Sequence, residues 1–303
     1  MSESRLGRFY SILQTPFDAD GAIDCASLVR LLRHRETCGC DALFLLGVAS
    51  EVMFLSRSEQ EEVVGLIMRE LGGRRPVLVA AYAPAAAAVV ELGRRWTDLG
   101  ASGVVVLPPY AAAPTDDAVV RHYAAVTDAL DVPVIVQDEP NTSGITMSAA
   151  LLARLAREVD GVAAFKVEGQ PVTQRLSAVR ALVGDTRPLY SAAGTSFVQE
   201  LERGSSGMMT GYPYPEVIVE TLELFHKGDA AGANALWDRL MPLTAMDARP
   251  GLMWAVRKEI LKRRGLIGYA TVRDPAPAID AETRDEIGKL IDRLELAERY
   301  PVD

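Results

Sequence analysis

Short apolar runs alternate with longer amphipathic stretches along most of the chain. The runs fall at residues 9–13, 42–46, 77–81, 104–107, 132–136, 162–165, 189–192 and 208–210. Most are β-branched or leucine-rich, the pattern of strands buried on both faces. Between them, apolar positions recur at helical spacing over 24–39, 56–70, 85–99, 115–130, 147–159, 171–182, 196–203 and 215–226. Ser56-Arg57-Ser58-Glu59 has the form of a capping box, and Gly72-Gly73 follows where that helix should stop. The strand–helix unit recurs every 25 to 30 residues or so, roughly the length of one βα unit. Eight units by residue 226 predict an α/β protein, a closed (β/α)8 TIM barrel. An open doubly wound sheet fits less well. Its first turn would carry glycine, and here it reads Gln14-Thr15-Pro16-Phe17, with no GxGxxG or GxxxxGK[ST] anywhere. Three more helices are expected at 230–241, 251–264 and 281–297, with Asp274-Pro275-Ala276-Pro277 as a stiff link. The domain reading is a catalytic barrel over 1–226 and a C-terminal helical appendage over 227–303.

Composition narrows the function. With 49% hydrophobic and 24% charged residues the chain is globular, and a net charge of −9 argues against a nucleic-acid or anionic membrane partner. No window of 18 residues is apolar and uncharged, and residues 1–8 carry charges of both signs without an apolar stretch. The three cysteines, Cys25, Cys38 and Cys40, suit a reducing compartment better than a disulfide framework. These features lead to the expectation of a soluble, cytoplasmic protein. His34, His122 and His226 lie far apart with no HxxxH or HxH spacing, so no zinc site is expected.

Barrel chemistry sits at the C-terminal ends of the strands. Lys166 stands out there. The chain has five lysines among 32 basic residues, and Lys166 is the only one before residue 227. It closes the apolar run 162–165, where burial strips it of water and frees the amine as a nucleophile towards a carbonyl. The competing reading is a structural ion pair with Glu168 or Glu139. Glu51 and Glu168 are strand-end carboxylates able to serve as acid or base. Tyr110 is read as a rim or hydrogen-bonding residue. Trp96, Trp237 and Trp254 are read as core or interface.

The ordered set Thr15-Pro16-Phe17, Gly47-x-x-x-Glu51, Pro109-Tyr110, Pro140-x-x-x-Gly144 and Phe165-Lys166 resembles the dihydrodipicolinate synthase / N-acetylneuraminate lyase family. The resemblance spans essentially the whole chain. It implies a class I lyase, commonly a homotetramer, that forms a Schiff base between Lys166 and a small-molecule 2-oxo acid without metal or organic cofactor. Gly47-Val48-Ala49-Ser50-Glu51 stands where the family has Gly-Thr-Thr-Gly-Glu. The threonines that would hold the keto-acid carboxylate are therefore apolar. The relay tyrosines fall at Gln137 and Ala111, and the arginine used for the aldehyde's carboxylate falls at Thr142. These departures argue against dihydrodipicolinate synthase activity and sialic acid cleavage. Val136-Gln137-Asp138-x-Pro140, Phe165-Lys166-x-Glu168, Met209-Thr210-Gly211 and the stretch from Gly251 resemble the L-2-keto-3-deoxyarabonate dehydratase branch. The roles that follow are Lys166 as nucleophile, Glu168 as acid/base, and Gln137 as orienter of water or substrate. Ser50 and Thr210 bind carboxylate or hydroxyl, Ala49 and Gly211 line the substrate, and Tyr110 closes the site. The expectation is dehydration of a 2-keto-3-deoxy sugar acid. The alternatives are a pyruvate-releasing retro-aldolase and a non-catalytic 2-oxo acid binder.

Overall fold

The structure is a computed structural model and describes residues 6–110, 112–192, 194–249 and 251–302. The strands are β1 (Phe9–Ile12), β2 (Ala42–Leu45), β3 (Val77–Ala80), β4 (Gly103–Val106), β5 (Val134–Asp138), β6 (Val162–Val167), β7 (Leu189–Ser191) and β8 (Gly207–Thr210). They close into a barrel in chain order, every neighbour parallel, with β8 returning to β1. All eight expected runs are strands, because an apolar stretch covered by helices outside and side chains inside buries both faces.

Two strands run further than their apolar runs. β5 continues through Gln137 and Asp138, and β6 through Lys166 and Val167. Hydrophobicity marks only the part of a strand that lies in the apolar layers. The polar ends project into the barrel mouth or pair off between strand and helix. β5 also starts at Val134 rather than 132, since Pro133 has no N–H to give the ladder.

The helices between strands lie where the periodicity places them, and several have the expected caps. Ser56 accepts from Glu59 N at 3.3 Å while Glu59 accepts from Ser56 N at 2.8 Å, opening helix Arg57–Leu71. A short helix, Pro140–Ser143, was not expected; the Glu139 carboxylate caps it by accepting from Asn141 N (3.1 Å) and Thr142 N (2.6 Å). Beyond the barrel run helices Ala230–Asp247, Met253–Arg263, Ala281–Arg293 and Leu296–Arg299. The first outruns the expected stop at 241. Pro242 sits inside it, and its continuation is retained by buried Leu243, Thr244, Met246 and Asp247. The last expected helix splits in two because Glu295 takes a left-handed conformation (φ 54°). No helix among the described residues is long and apolar enough to cross a membrane.

Candidate active site

The ends of β5 and β6 build the centre of the site. Their pairing passes over Ala163, and this irregularity brings Gln137 into register with Lys166. Glu168 N still donates to Asp138 O at 3.0 Å, so the extended pairing lasts one residue past β6. Side chains two residues apart on an extended chain share a face, and Glu168 accordingly meets Lys166.

Lys166 Nζ lies 3.0 Å from Glu168 Oε2, and the lysine is 2% exposed. Gln137 Nε2 donates to Glu168 Oε1 at 2.7 Å, and the Tyr82 hydroxyl donates to Gln137 Oε1. The chain Tyr82–Gln137–Glu168–Lys166 thus fixes both the amide orientation and the carboxylate. Burial pushes the Glu168 carboxyl up; Lys166 draws it down, Glu139 adds to the rise, and the net result lies above the ordinary glutamate value. Burial also holds the Tyr82 phenol well above its usual range, so it remains a donor.

Lys166 and Glu168 face a cavity of about 900 Å³, whose wall also includes Ala49, Thr210, Gly211 and Arg257. Five of the expected site residues therefore meet in one cavity, with Gln137 directly behind Glu168. Besides Gln137, two do not reach its wall. Ser50 is buried and its Oγ–H is donated to Leu13 O at 2.5 Å. Tyr110 is partly buried on the loop after β4. The relay position Ala111 lies outside the described residues.

Glu51, the other acid/base candidate, is fully buried and pairs with Lys258, which also donates to Thr271 O at 2.9 Å and sits 3.9 Å above the Phe17 ring centroid. Burial lowers the Lys258 amine and raises the Glu51 carboxyl, while each partner opposes the other's shift. Glu51 and Leu46 both have positive φ, 59° and 56°. The second-strand loop is therefore held in a conformation that non-glycine residues seldom adopt, and its surroundings enforce it. Trp254 helps: its Nε1 donates to Val48 O at 2.8 Å.

The sequence reading missed the contribution of helix Met253–Arg263. Trp254 and Arg257 line the cavity, and Lys258 anchors the loop. Arg257 Nε and Nη2 donate to Asp247 at 2.6 and 2.7 Å. The one available signal was the charged triplet Arg257-Lys258-Glu259, which is buried as a unit but reads as a solvated helix face. Away from the cavity, His34, Cys38 and Glu216 offer ligand atoms within 4.8 Å of one another. Arg264 already supplies Glu216 with a counter-charge at 2.6 Å, and burial pushes the Cys38 thiol up to about 12, the reverse of what a thiolate ligand needs.

A parallel eight-stranded barrel with a buried amine–carboxylate pair at its C-terminal mouth has its polar groups where barrel enzymes carry their chemistry. The chain belongs to the dihydrodipicolinate synthetase family, whose profile matches residues 5–294. It is 30% identical over 292 residues to the L-2-keto-3-deoxyarabonate dehydratase of Azospirillum brasilense, covering 94% of each chain. It is 33% identical over 281 residues to the 4-hydroxy-tetrahydrodipicolinate synthase of Corynebacterium aurimucosum, covering 91% of this chain and 90% of that one. The crystal structure of dihydrodipicolinate synthase from Rhodopseudomonas palustris superposes with a TM-score of 0.88 at 29% identity, over 95% of this chain and 97% of that one. The chain is thus an enzyme of a lyase family, and its relatives carry two different activities.

Proposed function

We propose that the protein dehydrates a 2-keto-3-deoxy sugar acid through a Schiff base on Lys166. The observation that carries this reading is the Glu168 carboxylate 3.0 Å from the Lys166 amine, held by Gln137 where a proton-relaying hydroxyl would otherwise stand. The Lys166 amine adds to the 2-oxo carbon and water leaves, giving a protonated imine. The imine is an electron sink that acidifies C3. Glu168 takes a C3 proton, and the resulting enamine expels the C4 hydroxyl, which leaves as water on accepting a proton. Hydrolysis releases the product and restores the amine. For a keto-deoxypentonate, loss of the C4 hydroxyl leaves a C3=C4 unsaturated imine. C5 and its hydroxyl then each give up a proton while C3 and C4 each gain one, so that hydrolysis releases 2-oxoglutarate semialdehyde with one water lost overall. An aldolase must instead deprotonate the C4 hydroxyl. Gln137 has no proton to relay for that, which supports dehydration. The subunits are proposed to assemble as a homotetramer, following the resemblance.

The test is borohydride trapping with 2-keto-3-deoxyarabonate, followed by intact and peptide mass. An adduct of dehydrated mass on Lys166 is expected, together with 2-oxoglutarate semialdehyde in solution. A pyruvate-sized adduct with free pyruvate would replace the dehydratase by an aldolase. Turnover that survives Lys166→Arg, a cation unable to form an imine, would sink the covalent mechanism.

A further inference from the structure

A 2-oxo acid places a carboxylate beside the carbon that Lys166 attacks. Positions 48 and 49, where the resembled family carries threonines for that group, are Val48 and Ala49. A carboxylate entering a cavity with largely apolar walls needs a counter-charge or several donors. Helix Met253–Arg263 brings one. Asp247 takes Arg257 Nε and Nη2, which fixes the guanidinium plane. Arg257 Nη1 makes no hydrogen bond among the described residues, and the side chain lines the same cavity as Lys166. Its place is marked by Gly211. A Cβ added there would stand 3.0 Å from Arg257 Nη1, 2.9 Å from the Ala49 Cβ and 2.7 Å from Gln14 Nε2. One point in space therefore touches the arginine, the apolar loop and the β8 end. Gln14 Nε2 supports that wall by donating to Gly211 O at 2.5 Å.

We infer that Arg257 binds the substrate carboxylate through Nη1, replacing the threonines absent from positions 48 and 49, with Asp247 as the positioning residue. A permanently charged guanidinium with one edge tied back and its remaining nitrogen free is suited to an anion. Val48, Ala49 and Trp254 line the same cavity. This inference rests on Lys166 attacking a 2-oxo acid. It adds that the carboxylate is recognised from the C-terminal helix.

The experiment measures half-saturation for borohydride trapping by pyruvate and by its neutral analogue pyruvamide. The wild-type protein is expected to favour pyruvate by about 10–100-fold, the range of one charge-assisted contact. In Arg257→Gln that preference should collapse to within about threefold, with pyruvamide little changed; a merely structural role would weaken both ligands alike. Should Arg257→Gln fail to fold, Arg257→Met with Asp247→Leu removes both charges without leaving an orphan, and the same collapse is expected. Retained preference for pyruvate in either folded variant overturns the assignment of Arg257 and leaves the lysine chemistry standing. Failure of the wild-type protein to trap either compound overturns both.

Discussion

Glu168 is set between burial and a neighbouring cation, and the balance makes a pH prediction. Its carboxyl lies above the ordinary glutamate value. In its proposed role as base towards C3 it must be ionised, so kcat should rise with pH through a limb above the usual carboxylate range. In Glu168→Gln that limb should vanish, with kcat lower by about 10²–10⁴. A limb that survives in this variant would assign the base elsewhere. At this scale the sequence was partly legible. Lys166 and Glu168 could be paired from strand alternation alone, because a two-residue spacing is geometric. Ser50 could not be judged in the same way. A hydroxyl near the site is as free to satisfy a backbone carbonyl as a substrate, and Leu13 O takes it.

Helix Met253–Arg263 does more for the site than its distance along the chain suggests. Three of its residues reach the barrel mouth, through Val48 O, Asp247 and Glu51. The Lys258–Glu51 pair is fully buried, and removing one partner strands the other charge. Lys258→Met should cost about 3–5 kcal/mol in urea unfolding and reduce activity by releasing the second-strand loop. Adding Glu51→Gln should recover part of that stability, and a double variant no better than the single would show that the pair is not the anchor. Apolar periodicity shows which face of a helix is greasy, but not that a charged residue on another face has a buried partner. That is why this helix was placed closely (251–264 against Met253–Arg263) and its role was not. The same limit applied at Pro242. Proline is a breaker by local chemistry, and only tertiary packing retains the turn that delivers Asp247.

The barrel itself was readable because its rule is repetitive: eight apolar runs, eight helices and a turn without a nucleotide-binding glycine pattern. A buried histidine adds a property of the whole molecule. His122 is 6% exposed, and its Nε2 has no partner among the described residues; burial pushes the imidazole down to about 4 from 6.5. The folded state thus prefers the neutral ring. Stability is fully present above pH 6.5 and is lost as pH falls towards 4, by up to about 3 kcal/mol. Burial lowers His34 as well, with the same sign. Thermal unfolding across pH 7 to 4 should show this loss, and His122→Gln should flatten it; an unchanged slope would point to other groups. The contact from Trp254 to Val48 spans 206 residues. At a synthesis rate of roughly 5–20 residues per second, the loop leaves the ribosome about 10–40 s before the helix that holds it. All eight strands precede that helix as well, so a nascent chain can assemble the scaffold of the site while its catalytic mouth is still incomplete. The order of translation alone keeps a half-made chain from having a finished pocket.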